Sequence, residues 1–166
     1  MEEMQRVLLS YREGQVARQS PLGPLFHTFY APAERSAIVR VFEQRGLPKA
    51  LEDFWLRTSG ARLYEDVTYG QWGLVLYSPE EAGARSQDAK EERPEDYRIG
   101  DLIVGEFLGD LDVLLIAAEM SSFNFGAVYV ASPLDPRAEW PKVGDNLGDF
   151  LEEFAQVNGE KFWEGN

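Results

Sequence analysis

The chain has no cysteine and a single histidine, His27, among its 166 residues. Disulfides, thiolate nucleophiles and the cysteine–histidine ligand sets of structural zinc are excluded on that ground. No cofactor and no metal are expected. Basic residues are also scarce: 16 Lys and Arg stand against 29 Asp and Glu, for a net charge of −13. Such a surface repels nucleic-acid phosphates and anionic membranes. It attracts a basic protein, and less so as salt rises. No apolar run approaches the roughly 20 residues that span a bilayer. The start, Met1-Glu2-Glu3-Met4-Gln5-Arg6, is acidic and mixed, so no secretory leader is expected and the chain reads as cytoplasmic. What is plentiful is apolar: 44% hydrophobic and 13% aromatic residues, enough for one packed domain.

The pattern begins with a short helix over Glu3–Tyr11, whose Met4, Val7, Leu8 and Tyr11 share a face. Ser20-Pro21-Leu22-Gly23-Pro24 breaks it. Leu25–Tyr30 is aromatic and reads as a strand or a docked arm. Two helices follow, Ala33–Arg45 and Pro48–Ser59, with Gly46 as a left-handed stop and Pro48 in the next first turn. Strands are expected over Ala61–Tyr64, Gly73–Tyr77, Tyr97–Phe107, Asp112–Ala118 and Ala127–Val130, with a short edge segment at Trp140–Val143. Ser78 caps a polar helix over Pro79–Glu91, where Pro79, Glu80 and Glu81 suit the first turn. The last helix carries Leu147, Phe150, Leu151, Phe154 and Val157 on one stripe; Asp145 or Asn146 starts it and Asn158-Gly159 ends it. The order is α+β: a single domain with a central, mostly antiparallel or mixed sheet and helices packed on it.

That order resembles the SUKH superfamily, the Smi/Knr-type domains. The matching motifs are Gly46-Leu47-Pro48, Phe54-Trp55, Ser59-Gly60, Ile99-Gly100, Gly109-Asp110, Val128-Tyr129 and Phe150-Leu151-Glu152-Glu153-Phe154. The resemblance runs from about Ala33 to Phe154 and has no counterpart for Met1–Pro32. It divides the chain into an N-terminal extension (1–32), a SUKH-like domain (33–158) and a C-terminal tail (159–166). It implies an interaction domain without catalytic residues. Many bacterial members look like immunity proteins that neutralise a toxin, often a nuclease or deaminase; others act as regulatory scaffolds.

Read on their own residues, the chemical constellations are sparse. His27, between Phe26 and Thr28, reads as a packed or surface histidine rather than a general base. Asp110-Leu111-Asp112, with Glu106 or Asp101, offers carboxylates for a hydrolase or a hard cation, or else a turn and a solvated strand start. Gly100, Gly105 and Gly109 lack the Gly-Lys-Ser/Thr of a phosphate loop and read as bulges or turns. The segment Glu65–Trp72 mixes carboxylates with Tyr69 and Trp72, a combination that suits capture of a basic protein surface. Trp72 either stands at that surface or enters the core with the following strand. The acidic stretch from Glu80-Glu81 to Glu95-Asp96 is either a solvated face or a patch facing a basic groove. The expected partner-binding set is Glu65, Asp66, Tyr69, Trp72, Glu80 and Glu81. The function that follows is a protein-binding domain that acts stoichiometrically on a basic, toxin-like partner, with a regulatory scaffold as the alternative and a carboxylate hydrolase as a distant third.

Overall fold

The alternating apolar segments pair in the order in which they leave the chain. In the computed structural model, which describes residues 2–43 and 45–164, eight strands form one antiparallel sheet in sequence order. Met1, Gln44, Gly165 and Asn166, which fall in the expected extension, first paired helix and tail, lie outside the described residues. The strands are β1 (Val16–Ser20), β2 (Gly23–Phe29), β3 (Ala61–Asp66), β4 (Leu74–Leu76), β5 (Asp101–Phe107), β6 (Val113–Ala117), β7 (Val128–Ala131) and β8 (Lys142–Gly144). The described helices are α1 (Glu2–Leu9), α2 (Arg35–Val41), α3 (Lys49–Arg57), α4 (Pro79–Glu92) and α5 (Leu147–Gln156). The fold is α+β, as the pattern predicts.

Strand alternation, shifted at the bulges, sorts the side chains. Leu63, Leu74 and Phe107 lie opposite one another on β3, β4 and β5, and Leu102, Ile116 and Val128 do so on β5, β6 and β7; all six are buried. Each such side chain stabilises the fold by about 1.5–3 kcal/mol. The opposite face carries Thr28, Arg62, Val75, Glu106 and Val113 in a half-buried cross-strand row. One face is therefore core and the other is partly wet, as antiparallel sheets allow.

Helices close the core in a chain of contacts: α1 on α5 and α3, α3 on α5 and α2, α2 on α4, and α4 on β5. The Tyr11 hydroxyl donates to the Leu151 carbonyl and ties the end of α1 to α5. Trp55 of α3 is fully buried, and its indole N–H donates to the Tyr77 carbonyl at 2.9 Å. Beside α4, Arg137 holds the buried Asp101 through both guanidinium ends, and Arg93 holds Asp96. The guanidinium carbons of Arg93 and Arg137 lie 5.9 and 5.6 Å from the Trp140 ring.

Five points differ from the sequence reading. The strand β1 is absent from the sequence reading because Val-Ala-Arg-Gln-Ser carries little apolar alternation; it is an edge strand that needs only one neighbour. The strand expected from Tyr97 begins at Asp101, since Arg98 and Ile99 turn outward and Ile99 is 70% exposed. Helix α2 stops at Val41 rather than Arg45. Gly46 is not left-handed; a Cβ there would stand 2.5 Å from the Phe125 ring, so a larger residue requires that ring to shift. Pro48 is the N-cap of α3 rather than its first residue. Elsewhere Ser78 caps α4 by accepting the Glu81 N–H at 3.2 Å, and of the two expected caps for α5 it is Asn146, not Asp145, that accepts the Asp149 N–H at 2.9 Å.

An antiparallel meander places alternate connections at opposite ends. The β1–β2, β3–β4, β5–β6 and β7–β8 links share one end of the sheet, and the links containing α2, α3 and α4 share the other. This end-sorting positions the candidate site.

Candidate functional site

The site starts from a bulge. Phe26 pairs with Glu65 and Thr28 with Arg62, so Leu63 and Tyr64 both oppose His27. Tyr64 takes φ +52°, a conformation that costs a non-glycine residue energy. Its N–H is compensated by the His27 Nδ1, which accepts it at 3.1 Å. The extra residue shifts the alternation by one. Glu65 points outward to Arg62, at 2.6 Å, while Asp66 turns inward and is 1% exposed.

Asp66 then organises the β3–β4 loop. Its carboxylate accepts the backbone N–H groups of Thr68 and Tyr69 at 3.1 Å and of Gln71 at 3.2 Å. Burial opposes its ionisation, but the three donors prevail and hold the carboxyl below the usual carboxylate range. The Asp66 N–H donates to the Trp72 carbonyl at 2.9 Å, which closes the loop. Val67 and Tyr69 stand out from this braced loop, 59% and 64% exposed.

Trp72 is half-buried against the core at the end of the loop. The Lys161 ammonium lies 5.1 Å from its ring centroid and 5.6 Å from that of Phe107, and it pairs with Asp110. Phe162 and Trp163 anchor this segment on Phe150 and Phe107, with ring centroids 6.2 and 5.2 Å apart. Beside Trp72 a pocket of about 200 Å³ opens between Pro21, Leu22 and Leu25, and the Arg18–Glu160 ion pair flanks it.

The six expected binding residues do not form one patch. Glu65, Asp66, Tyr69 and Trp72 sit at the hairpin end of the sheet. Glu80 and Glu81 are exposed in the first turn of α4, beyond the far end of β4. Ser78 is six residues past Trp72, a reach of roughly 20 Å in extended chain. Asp66 serves its own loop rather than the surface. Sequence reasoning did not find Arg18, Leu22, Leu25, Glu160 and Lys161 around Trp72. The one signal was the apolar Phe162-Trp163 pair in an otherwise polar tail.

The other constellations resolve locally. His27 is 5% exposed among the rings of Tyr11 and Tyr64, with centroids 5.0 and 4.5 Å away, and burial pushes its pKa down to about 4. Asp110 braces a turn by accepting the Asp112 N–H at 2.8 Å. Burial, then the Asp110 charge, raises the Asp112 carboxyl. Glu106 faces Tyr77 on the other side of the sheet, so it does not join Asp110 and Asp112. Among the described residues no three His, Cys, Asp or Glu side chains are grouped to hold a metal, and no helix is long and apolar enough to cross a membrane.

Comparison with known families turns on residues 32–153, which match the model of the SMI1 / KNR4 family (SUKH-1). The chain belongs to this family. The matched span of the SUKH-1 chain contains the β3–β4 loop, Trp72 and α4. It leaves out α1, which packs on α3 and α5, and the β1–β2 hairpin and the Lys161 segment, which border Trp72. No curated protein matches the chain.

Proposed function

We propose that the protein is a non-catalytic binding domain that neutralises a basic, toxin-like protein, nuclease-like in its charge, by stoichiometric capture inside the cell. Membership of the SUKH-1 family supports a protein-binding role. The observation that carries the rest is the β3–β4 loop: an exposed Tyr69 and a half-buried Trp72 on a segment pinned by Asp66 and bordered by the carboxylates of Glu65 and Asp110. A rigid loop loses little freedom on binding, and aromatic side chains are frequent anchors of such contacts. Glu80 and Glu81, at the other end of β4, add to the long-range field that steers a basic partner rather than to the same contact. The binding unit is the 33–158 domain, extended by residues 1–32 and by the segment that carries Glu160 and Lys161.

The test is capture of partners from lysate of the source organism on the tagged protein, eluted at low and then high salt and identified by mass spectrometry. The expected result is a basic polypeptide released by high salt, toxic when produced alone and harmless when co-produced with this chain. Glu65→Lys and Tyr69→Ala are expected to lower that protection. Salt-insensitive capture of a cytoskeletal, kinase or envelope component with no toxicity overturns the reading in favour of a regulatory scaffold.

A further inference from the structure

The pocket beside Trp72 has a size that selects its occupant. At about 200 Å³ it is several times the roughly 30 Å³ share of one water molecule, yet below the roughly 300–1,000 Å³ of small-molecule sites. Its walls are Pro21, Leu22, Leu25 and the Trp72 indole, so most of what lines it is apolar. Leu25 is fully buried and Leu22 is 38% exposed, so the pocket runs from the core to the surface. A void of this shape holds one large apolar side chain.

Two further observations bear on what presents that side chain. The first is rigidity. Asp66 pins the loop leading to Trp72, and Lys161, itself paired with Asp110, lies over the indole ring. The hairpin turn carrying Leu22 is braced by Ser20, whose hydroxyl accepts the Leu22 N–H at 3.1 Å and donates to the Gly23 carbonyl at 2.9 Å. Pre-organised walls receive an anchor at low entropic cost. The second is charge. Glu65, Asp66, Asp110, Asp112, Glu160 and Glu164 converge at this end of the sheet, where Arg18, Arg62 and Lys161 are the cations that meet them. The excess is negative, as in the whole molecule. Val67 and Tyr69 stand exposed on the β3–β4 loop that leads to Trp72.

We propose that this pocket receives a single leucine- or phenylalanine-sized side chain of the partner protein, presented from a surface that carries lysine or arginine on both sides of it. The inference rests on the reading of the β3–β4 loop as the binding face and names what that face recognises.

The test uses the full chain and three peptides, Ac-Lys-Arg-Leu-Arg-Lys-NH2, the same peptide with serine at the centre, and Ac-Glu-Glu-Leu-Glu-Glu-NH2. Binding is followed by the NMR shifts of the Trp72 indole N–H, assigned with Trp72→Phe, and of the Leu22 and Leu25 amides. The expected result is saturable movement of these three signals by the basic leucine peptide. The serine and acidic peptides are expected to bind at least ten-fold more weakly. Leu22→Arg, a substitution on an exposed turn that blocks the pocket mouth, is expected to abolish the response and leave distant amides in place. Equal binding of the leucine and serine peptides, or no movement at Trp72, overturns the proposal. With the captured partner, loss of binding in Tyr69→Ala but not in Leu22→Arg overturns the pocket and leaves the binding face standing. Loss in neither overturns both.

Discussion

His27 accepts the backbone N–H of Tyr64 through Nδ1 at 3.1 Å, and this one bond sustains the bulge that turns Asp66 inward. A buried N–H without a partner costs about 1–3 kcal/mol, and here it would add to the strain of Tyr64 at φ +52°. His27→Ala is expected to destabilise the protein by about that amount in urea unfolding at pH 7. It is also expected to broaden the amide signals of residues 65–72 while those of α4 stay sharp.

The same histidine sets a pH dependence. Its folded pKa is lowered to about 4 by burial, against about 6.5 in the unfolded chain. Between those values the unfolded state binds more protons, so stability rises with pH across the window. The His27 contribution is complete above about pH 6.5 and falls by about 2 kcal/mol as pH drops towards 4. In His27→Gln this part of the slope is expected to vanish. Urea midpoints at pH 7, 6, 5 and 4 check it.

Asp66 adds a linkage of the same sign at lower pH. Its folded carboxyl is held below the usual range, so its contribution is present above about pH 4 and is lost as pH falls through the lower folded value. Asp66→Ala removes three acceptor contacts to the loop. Hydrogen exchange at Thr68, Tyr69 and Gln71 is expected to accelerate at least ten-fold, with little change at Leu114 and Leu115 in the sheet centre.

Arg137 and Asp101 are the ion pair with the most at stake. Asp101 is 3% exposed and meets both guanidinium nitrogens. Arg137→Met leaves that carboxylate buried without its counter-charge, for an expected loss of about 3–5 kcal/mol. Arg137→Met with Asp101→Asn is expected to cost less than the sum of the two single changes, as a double-mutant cycle by thermal unfolding reads directly.

Gly46 is bound by packing rather than by dihedral angle. Gly46→Ala forces the Phe125 ring from its place, for an expected loss of about 1–3 kcal/mol. Phe125→Ala in the same chain is expected to make the Gly46 substitution nearly neutral.

Local chemistry made much of this protein legible before folding. Ser78-Pro79-Glu80-Glu81 announces the start of α4 because a cap hydroxyl, a missing N–H and first-turn acids each answer a local need of a helix end. The Leu147–Phe154 stripe announces α5, and the apolar run of β6 announces a central strand. The family resemblance rests on the order of such signals. In the site, Tyr69 and Trp72 were readable as loop aromatics, but the companions of Trp72 were not. Lys161 and Glu160 lie far along the chain, and β1 is recognisable as a strand only when β2 is beside it.

The amino-acid sequence by itself determined the element order from β2 onward, the α+β class, the negative charge and the exclusion of thiol chemistry, because those depend on composition and on spacing over a few residues. The tertiary structure alone decided that Asp66 faces inward, that Glu80 and Glu81 lie away from the β3–β4 loop, and that a pocket opens beside Trp72. A one-residue bulge at Tyr64 reverses every side chain after it, and an antiparallel meander gathers alternate turns at one end; both are consequences of long-range strand pairing that no local pattern encodes.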